Sequence, residues 1–165
     1  MLDVSVLFRQ HHTDLVRLAV LLIGDQPTAE DVVQDVFTRL HAKRDRWRPQ
    51  GDPLAYTRAC VINECRSVQR RRAVARRLGG SRDIQPDRAA EHSAEHEVIR
   101  LEDRRQVLMA LAALPRRRQE VLVLRYYLGL SEAEIAAVLQ IKPGTVKSTA
   151  ARGLAALAKS LGEEA

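Results

Sequence analysis

Six polar side chains near the C-terminal end of the chain have the types and spacing needed to bind DNA. Hydroxyl groups can hydrogen-bond base edges and phosphates, and lysine and arginine can pair with phosphates. Most of the six recur every three or four residues, so one face of a helix would present them together. This predicted DNA-contacting face consists of Lys142, Thr145, Lys147, Ser148, Thr149 and Arg152.

A second group, in the middle of the chain, suits unpaired or flipped bases and the phosphates between them. Asn63 offers amide hydrogen bonds, Trp47 offers a stacking surface in a basic loop, and the arginine run at 70–72 can neutralise phosphates. The alternatives are a tryptophan that fills a core and a merely solvated helix end. The candidate binding residues are Trp47, Arg58, Asn63, Arg66, Arg70 and Arg71.

Other polar clusters do not support catalysis or metal binding. Cys60 and Cys65 lie five apart on one predicted helix, which does not suit a disulfide, and two thiols do not complete a zinc site. His92 and His96 are four apart, but they lack the H-E-x-x-H pattern and an obvious third ligand. We therefore expect no enzyme activity, no metal, no cofactor and no small-molecule substrate.

Charge is unevenly distributed along the 165-residue chain. Lys and Arg total 27 against 21 Asp and Glu, and 12 basic but only 3 acidic residues fall between 42 and 82. A basic block inside a mildly acidic chain favours a polyanionic partner such as nucleic acid. Apolar stretches such as 18–23 are far too short to span a bilayer, and no targeting segment is evident. We expect a cytoplasmic protein without membrane insertion.

Local signals position the C-terminal group on a helix-turn-helix. Ser131 and Glu134 form an S-x-x-E capping box, which predicts the start of a short helix. Pro143 interrupts that helix, and a second helix is expected to begin near Gly144 or Thr145. Its buried stripe is predicted to contain Val146, Ala150, Leu154, Leu157 and Leu161.

Three helices are predicted in the N-terminal part of the chain. The first ends at 24–27, the second is expected to be capped by Thr28, and the third begins at the cap–proline pair Asp52-Pro53 and runs to about 77. The second helix has an acidic face opposite its apolar one. That face could be plain solvent-facing surface or a patch for a basic protein partner, and it contains Asp31, Gln34 and Asp35.

The domain organisation follows from a change of character at residues 78–96. This segment is polar, contains Gly79-Gly80-Ser81 and Pro86, and has little periodicity, which predicts a flexible linker. Helices are expected beyond it at about 97–113 and 116–128. The predicted fold is all-α, with two small helical domains, 1–77 and 97–165, joined by the linker 78–96.

Taken in order, these pieces resemble a bacterial RNA polymerase sigma factor of the extracytoplasmic-function (ECF) group of the sigma-70 family. The matching pieces are AEDVVQDVFTRLH at 29–41, a Trp-containing loop, PLAYTRACVINECRSVQRRR at 53–72, a variable linker, and ALPRRRQEVLVLRYYLGLSEAEIAAVLQIKPGTVKS at 113–148. Single pieces are moderately specific, whereas their ordered co-occurrence at this length is highly specific.

The resemblance implies a function for each domain. The N-terminal domain, like sigma region 2, would bind a coiled coil on the clamp of core RNA polymerase and open the minus-ten promoter element. The C-terminal domain, like sigma region 4, would read the minus-thirty-five element with the DNA-contacting face defined above. An anti-sigma factor is a usual further partner in the family. The positions that match the polymerase-contacting helix are Asp31, Gln34, Asp35 and Phe37.

Further residue matches concern the minus-ten element. Asn63, with Arg66, Arg70 and Arg71, matches the helix that engages minus-ten DNA, and Trp47 lies just before the loop that captures a flipped base in such proteins. The family often has Asp where this chain has Ser67, which leaves the details of minus-ten recognition open.

The C-terminal helix also departs from the family. The family often has Arg where this chain has Thr149, so a long cationic side chain is missing from the predicted groove face.

Two other functional interpretations stay open on the residues alone. One is a helix-turn-helix regulator that binds duplex DNA independently of polymerase, and the other is a helical adaptor that binds only protein.

Overall fold

The chain is helical throughout the part that the computed structural model describes, which is residues 4–44, 51–79 and 95–162, with side chains described except at 95–103. Within these ranges there is no strand, and the predicted all-α class is confirmed. Trp47 and the linker residues 80–94, including His92, lie outside the described residues. The helices are α1 (Val4–Ile23), α2 (Gln26–Ala42), α3 (Pro53–Arg77), α4 (Glu95–Ala113), α5 (Arg116–Leu122, continued as a π-helix over Val123–Tyr127), α6 (Glu132–Leu139) and α7 (Pro143–Gly162).

The chain divides into two compact units, one that contains α1–α3 and the other that contains α4, α5, α7 and most of α6. In the first unit the apolar stripes of three helices form one core. Phe8 of α1 and Phe37 of α2 meet edge to face with ring centroids 4.9 Å apart, an arrangement that the aromatic quadrupoles favour. Both cysteines are free thiols, with Cys65 buried and Cys60 half-buried. The core residues with the least exposure are Leu15, Leu18, Ala19, Ala29, Val33, Val36, Thr57, Val61, Ile62 and Cys65.

The turn between α1 and α2 is closed by Gly24 and Asp25. Gly24 has a positive φ of 94°, which a glycine adopts without steric cost, and its N–H donates to the Val20 carbonyl at 2.8 Å. Asp25 is the N-cap of α2 and accepts from the Thr28 N–H at 3.0 Å. The prediction that Thr28 is the cap was wrong by three residues, because the Asp25 carboxylate already accepts from the Thr28 N–H and the helix begins at Gln26.

The start of α3 follows the predicted local chemistry. Asp52 is the N-cap and accepts from the N–H groups of Leu54 at 3.0 Å and Ala55 at 3.2 Å. Pro53 occupies the first helical position, where its missing N–H costs nothing. Because no residue interrupts the helix, α3 continues for 25 residues to Arg77 and carries its basic side chains along that length.

The second unit contains the predicted helix-turn-helix, α6 and α7. Both hydrogen bonds of the capping box are present, from the Glu134 N–H to the Ser131 hydroxyl at 3.2 Å and from the Ser131 N–H to the Glu134 carboxylate at 2.8 Å. Gln140 adopts the left-handed conformation that ends α6, with φ 54°. The second helix begins at Pro143, slightly before the prediction, because proline is tolerated at the first helical position.

The contact between α5 and α7 explains one error in the predicted buried stripe. A Cβ added to Gly153 of α7 would lie 3.1 Å from the Leu122 side chain of α5, so the two helices approach closely at this glycine. Val146, Ala150 and Gly153 are buried, whereas Leu154 is 40% exposed. The buried stripe of α7 therefore includes Gly153 and does not include Leu154.

Candidate nucleic-acid interface

The exposed side of α2 carries the three polar residues that we define as the acidic surface, Asp31, Gln34 and Asp35. All three are exposed, and they lie opposite the apolar stripe of the helix. Phe37 does not share this surface, because it is only 6% exposed and packs against Phe8 of α1, whose own side chain is 37% exposed. Its spacing of four residues from Val33 and three from Leu40 places it on the buried stripe of α2. The acidic surface can therefore attract a basic partner without the phenyl ring.

One face of α3 carries linked polar side chains, which we define as the α3 polar face, Asn63, Arg66, Ser67 and Arg70. The Asn63 side-chain carbonyl accepts from Arg66 at 3.0 Å. The Ser67 hydroxyl donates to the Asn63 backbone carbonyl at 3.2 Å and accepts from Arg70 at 2.9 Å. These i,i+3 and i,i+4 bonds align an amide and two guanidinium groups along the helix, which suits bases and phosphates respectively.

Arg71 and Arg72 have different surroundings from the α3 polar face. Arg71 is exposed and its guanidinium lies 3.7 Å from the carboxylate of Glu64, with which it forms an ion pair on the same helix. Arg72 faces the first unit's interior, and it donates to the Ile23 carbonyl at 3.0 Å, the Asp25 carboxylate at 2.5 Å and the Thr28 hydroxyl at 3.0 Å. Arg72 was predicted to belong to a phosphate-binding run, whereas in the structure it holds helices together.

A groove of about 290 Å³ lies between α2 and α3. Asn63 and Ser67 of the α3 polar face line it, and the Arg39–Glu64 ion pair of 2.8 Å crosses it from α2 to α3. Sequence reasoning missed the α2 contribution, although the i,i+4 spacing of its two basic residues was a usable signal. The lining residues are Val36, Arg39, Leu40, Lys43, Tyr56, Cys60, Asn63, Glu64 and Ser67.

The thiol in this groove is not activated as a nucleophile. Burial raises the pKa of Cys60, and this effect outweighs the opposing hydrogen bond with Tyr56 and the charges of Arg39 and Lys43. The pKa of Tyr56 is also raised, first by the charge that Cys60 would carry and then by burial. A thiol with a raised pKa stays protonated at neutral pH, so it contributes little thiolate for chemistry.

Two other residues of the first unit were predicted to contact the minus-ten element. Arg58 is half-buried near the start of α3, so only part of its side chain is accessible to DNA. Trp47 lies outside the described residues, and its predicted stacking role stays a prediction. Among the residues predicted to contact the minus-ten element, Asn63, Arg70 and Arg71 are exposed, and Arg66 is half-buried like Arg58.

The second unit presents a basic and hydroxyl surface at the start of α7. Thr145, Lys147, Ser148 and Arg152 are exposed, and Lys142 is exposed in the turn before the helix. Arg152 lies along the helix, where its Nε donates to the Ser148 carbonyl at 3.2 Å and its Nη2 to the Ser148 hydroxyl at 3.3 Å. Short side chains with one oriented guanidinium allow close approach to a DNA groove.

Thr149 does not belong to this exposed surface. It is 6% exposed and lies on the buried side of α7 with Val146 and Ala150. The prediction assigned it to the groove face, and the close α5–α7 contact at Gly153 instead covers that side of the helix. Thr149 therefore does not contribute to the exposed surface of α7.

Neither metal binding nor membrane insertion gains support from the described residues. Within them, no group of three or more His, Cys, Asp or Glu side chains could hold a metal ion. Their helices also include none that combines the length and apolar character needed to cross a bilayer.

Comparison with protein families matches both units. Residues 7–77 match sigma-70 region 2, and residues 104–157 match sigma-70 region 4. The first match contains α2 and α3 with the acidic surface and the α3 polar face. The second contains the helix-turn-helix, so the two matches include every described interface.

Individual relatives agree over nearly the full chain. The ECF RNA polymerase sigma factor SigM of Mycobacterium tuberculosis is 33% identical over 94% of this chain and 76% of its own length. The ECF sigma factor SigL of the same organism is 36% identical over 95% of this chain and 88% of its own length. Among solved structures, the Bartonella quintana sigma factor RpoE in complex with the anti-sigma factor NepR aligns with a TM-score of 0.72, 26% identity and 95% coverage of both chains.

Proposed function

The chain belongs to the ECF group of sigma-70 family RNA polymerase sigma factors, and we propose which contacts each of its two units makes during transcription initiation. It is a sigma factor that binds core RNA polymerase and directs promoter recognition. In our proposal residues 1–77 contact polymerase and the minus-ten element, residues 97–165 contact the minus-thirty-five element, and residues 78–96 link them. Linked weak contacts reinforce each other through effective concentration.

The proposal for the first unit rests on one observation. Two neighbouring helices carry different surfaces, an acidic one on α2 and one with an amide and guanidinium groups on α3. The acidic surface on α2 would repel DNA and suits a basic coiled coil on the polymerase clamp. The α3 polar face offers an amide and guanidinium groups to the unpaired minus-ten strand. Polymerase and DNA can therefore occupy the same unit without competing for one surface.

The proposed polymerase contact is tested by reversing single charges. Asp31→Lys and Asp35→Lys are expected to weaken association with core polymerase by about tenfold or more, since like charges would then meet at the interface. Asp14→Lys, an equal charge change on the exposed side of α1, is the control and should leave association intact. Equal affinity of all three variants and the parent in a fluorescence binding titration would refute the assignment.

The proposed upstream contact uses the exposed residues of α7. Lys147→Ala and Arg152→Ala are expected to weaken binding to duplex minus-thirty-five DNA. The salt slope, which is the steepness with which the logarithm of affinity falls with the logarithm of salt concentration, should be lower by about 0.9 for each phosphate interaction removed. Lys159→Ala, in the last turn of the same helix, is the control. A slope unchanged in both test variants would exclude phosphate binding by these two residues.

The decisive experiment is run-off transcription with purified core polymerase on genomic promoter fragments. We expect stimulation by the protein, and failure to stimulate any fragment together with failure to co-purify with core would overturn the proposal. A regulator that acts independently of polymerase would instead bind an operator tightly without core. An adaptor would keep its function in the Arg70, Arg71 and Arg152 variants.

Three further aspects of the proposal rest on the family and on one relative. We infer that the protein performs no catalysis of its own, since polymerase supplies the chemistry, and that it works in the cytoplasm, where the polymerase is. An anti-sigma factor is a further proposed partner, supported by the solved complex of the Bartonella relative. Copurification from cells that lack the inducing condition would detect such a partner.

A further inference from the structure

The arginines at the end of α3 differ in the charge of the groups that hold them. Arg71 lies against the Glu64 carboxylate and Arg72 against the Asp25 carboxylate. Arg70 instead donates to a neutral hydroxyl, that of Ser67, at 2.9 Å. Adjacent arginines of one run are therefore not equivalent, because a carboxylate offsets the positive charge of a guanidinium and a hydroxyl does not.

The Ser67 hydroxyl is oriented by a second hydrogen bond. It donates its proton to the Asn63 backbone carbonyl at 3.2 Å, and a hydroxyl with its single proton committed in this way keeps its lone pairs for a donor. Arg70 provides that donor, one turn further along the exposed side of α3. The hydroxyl thus restrains Arg70 on the helix face that also carries Asn63, whose own side chain is bonded to Arg66.

We propose that Ser67 is a positioning residue that orients Arg70 on the α3 polar face while leaving its full charge for a phosphate of the unpaired promoter strand. The inference rests on the proposed function of α3. An aspartate at position 67 would lie one helical turn before Arg70. Its negative charge would offset the positive charge of the Arg70 guanidinium and compete with a DNA phosphate for it. The neutral Ser67 hydroxyl binds the guanidinium less strongly, so Arg70 can leave it for a phosphate.

The test compares four variants of the holoenzyme, Ser67→Ala, Ser67→Thr, Ser67→Asp and Arg70→Ala. The probe is a forked fragment of a promoter that the wild-type holoenzyme transcribes, with its minus-ten non-template strand left unpaired. Affinity is measured at several salt concentrations. Thr13→Asp, which adds the same charge on the exposed side of α1, is the control, and far-UV circular dichroism checks that every variant is folded.

Each variant has a distinct expected result. Arg70→Ala should lower the salt slope by about 0.7, the value for one single-strand phosphate contact. Ser67→Asp should lower the slope by a similar amount, and should have little further effect when Arg70 is already alanine. Ser67→Ala should weaken binding roughly two- to fivefold with an unchanged slope, because the guanidinium is no longer oriented but keeps its charge. Ser67→Thr should restore the affinity.

Two outcomes would overturn the inference. One is wild-type affinity and slope in both Ser67→Ala and Ser67→Asp. The other is an equal effect of Ser67→Asp in the parent and in the Arg70→Ala background, since the aspartate would then act through another group. Failure of the proposed function itself looks different, because the wild-type holoenzyme would then bind the fork no better than core polymerase alone.

Discussion

Replacing Arg72 by methionine should destabilise the first unit, although its neighbours in the run are surface residues. The guanidinium ties α3 to the turn between α1 and α2 through the Ile23 carbonyl, the Asp25 carboxylate and the Thr28 hydroxyl. Methionine keeps an unbranched apolar stem of similar reach but offers no donor. The substitution leaves a carbonyl at the end of α1 and the capping carboxylate of α2 without this partner.

The size of the effect follows from the burial of the pair. The side chains of Arg72 and Asp25 are only 24% and 18% exposed, so water screens their interaction incompletely. A charge-assisted hydrogen bond contributes about 1.5–3 kcal/mol and a neutral one about 0.5–1.5 kcal/mol. The three bonds share one guanidinium and are not additive. We expect Arg72→Met to lower the unfolding free energy of the first unit by about 2–3 kcal/mol.

The assay is urea unfolding followed by circular dichroism, with hydrogen exchange of peptides from α1–α3 to assign the transition to the first unit. Arg70→Met is the matched control, because Arg70 is exposed two residues away on the same helix. It should change the unfolding free energy by less than about 0.5 kcal/mol. Equal destabilisation in the two variants, or a negligible effect of Arg72→Met, would refute the role of Arg72.

The effect should also depend on pH. Burial raises the pKa of Asp25, but hydrogen bonds from Thr28 and Arg72 and the charge of Arg72 outweigh it and leave the pKa below its usual value. A lowered folded-state pKa stabilises the fold above the unfolded-state value of about 3.9, and that contribution disappears as pH falls through the folded-state pKa. The difference between parent and Arg72→Met should therefore shrink below about pH 4. A difference that grows in acid would contradict this linkage.

Three other results are expected. Ser131→Ala should lower the unfolding free energy of the second unit by about 1 kcal/mol because it removes the cap, and an unchanged melting temperature would contradict this. Gly153→Val should cost about 1–3 kcal/mol in the same assay, because it forces a side chain into the α5–α7 contact. Gly144→Ala, which meets open space, is its control and should not destabilise. Cys60 should react with a thiol reagent more slowly in the folded protein than in urea, given its raised pKa, and equal rates would refute this.

Helix starts were largely predictable because their causes are local. The Asp52-Pro53 pair and the Ser131–Glu134 box each combine a cap and a first turn within four residues, and both form as predicted. The α1–α2 turn was different, since both Asp25 and Thr28 can cap a helix. Arg72 lies far along the chain, and its bonds to both side chains are a tertiary feature that no local pattern contains.

The sequence by itself determined the helical class, the order of family-like segments and the outward direction of Asp31, Asp35 and Asn63, because charged and amide groups must stay near water. Only the tertiary structure decided which side of a helix its neighbour covers. Thr149 is buried because α5 approaches α7 at Gly153. Periodicity assigns the centre of a helix face reliably, but residues at its edge are buried or exposed according to the partner helix.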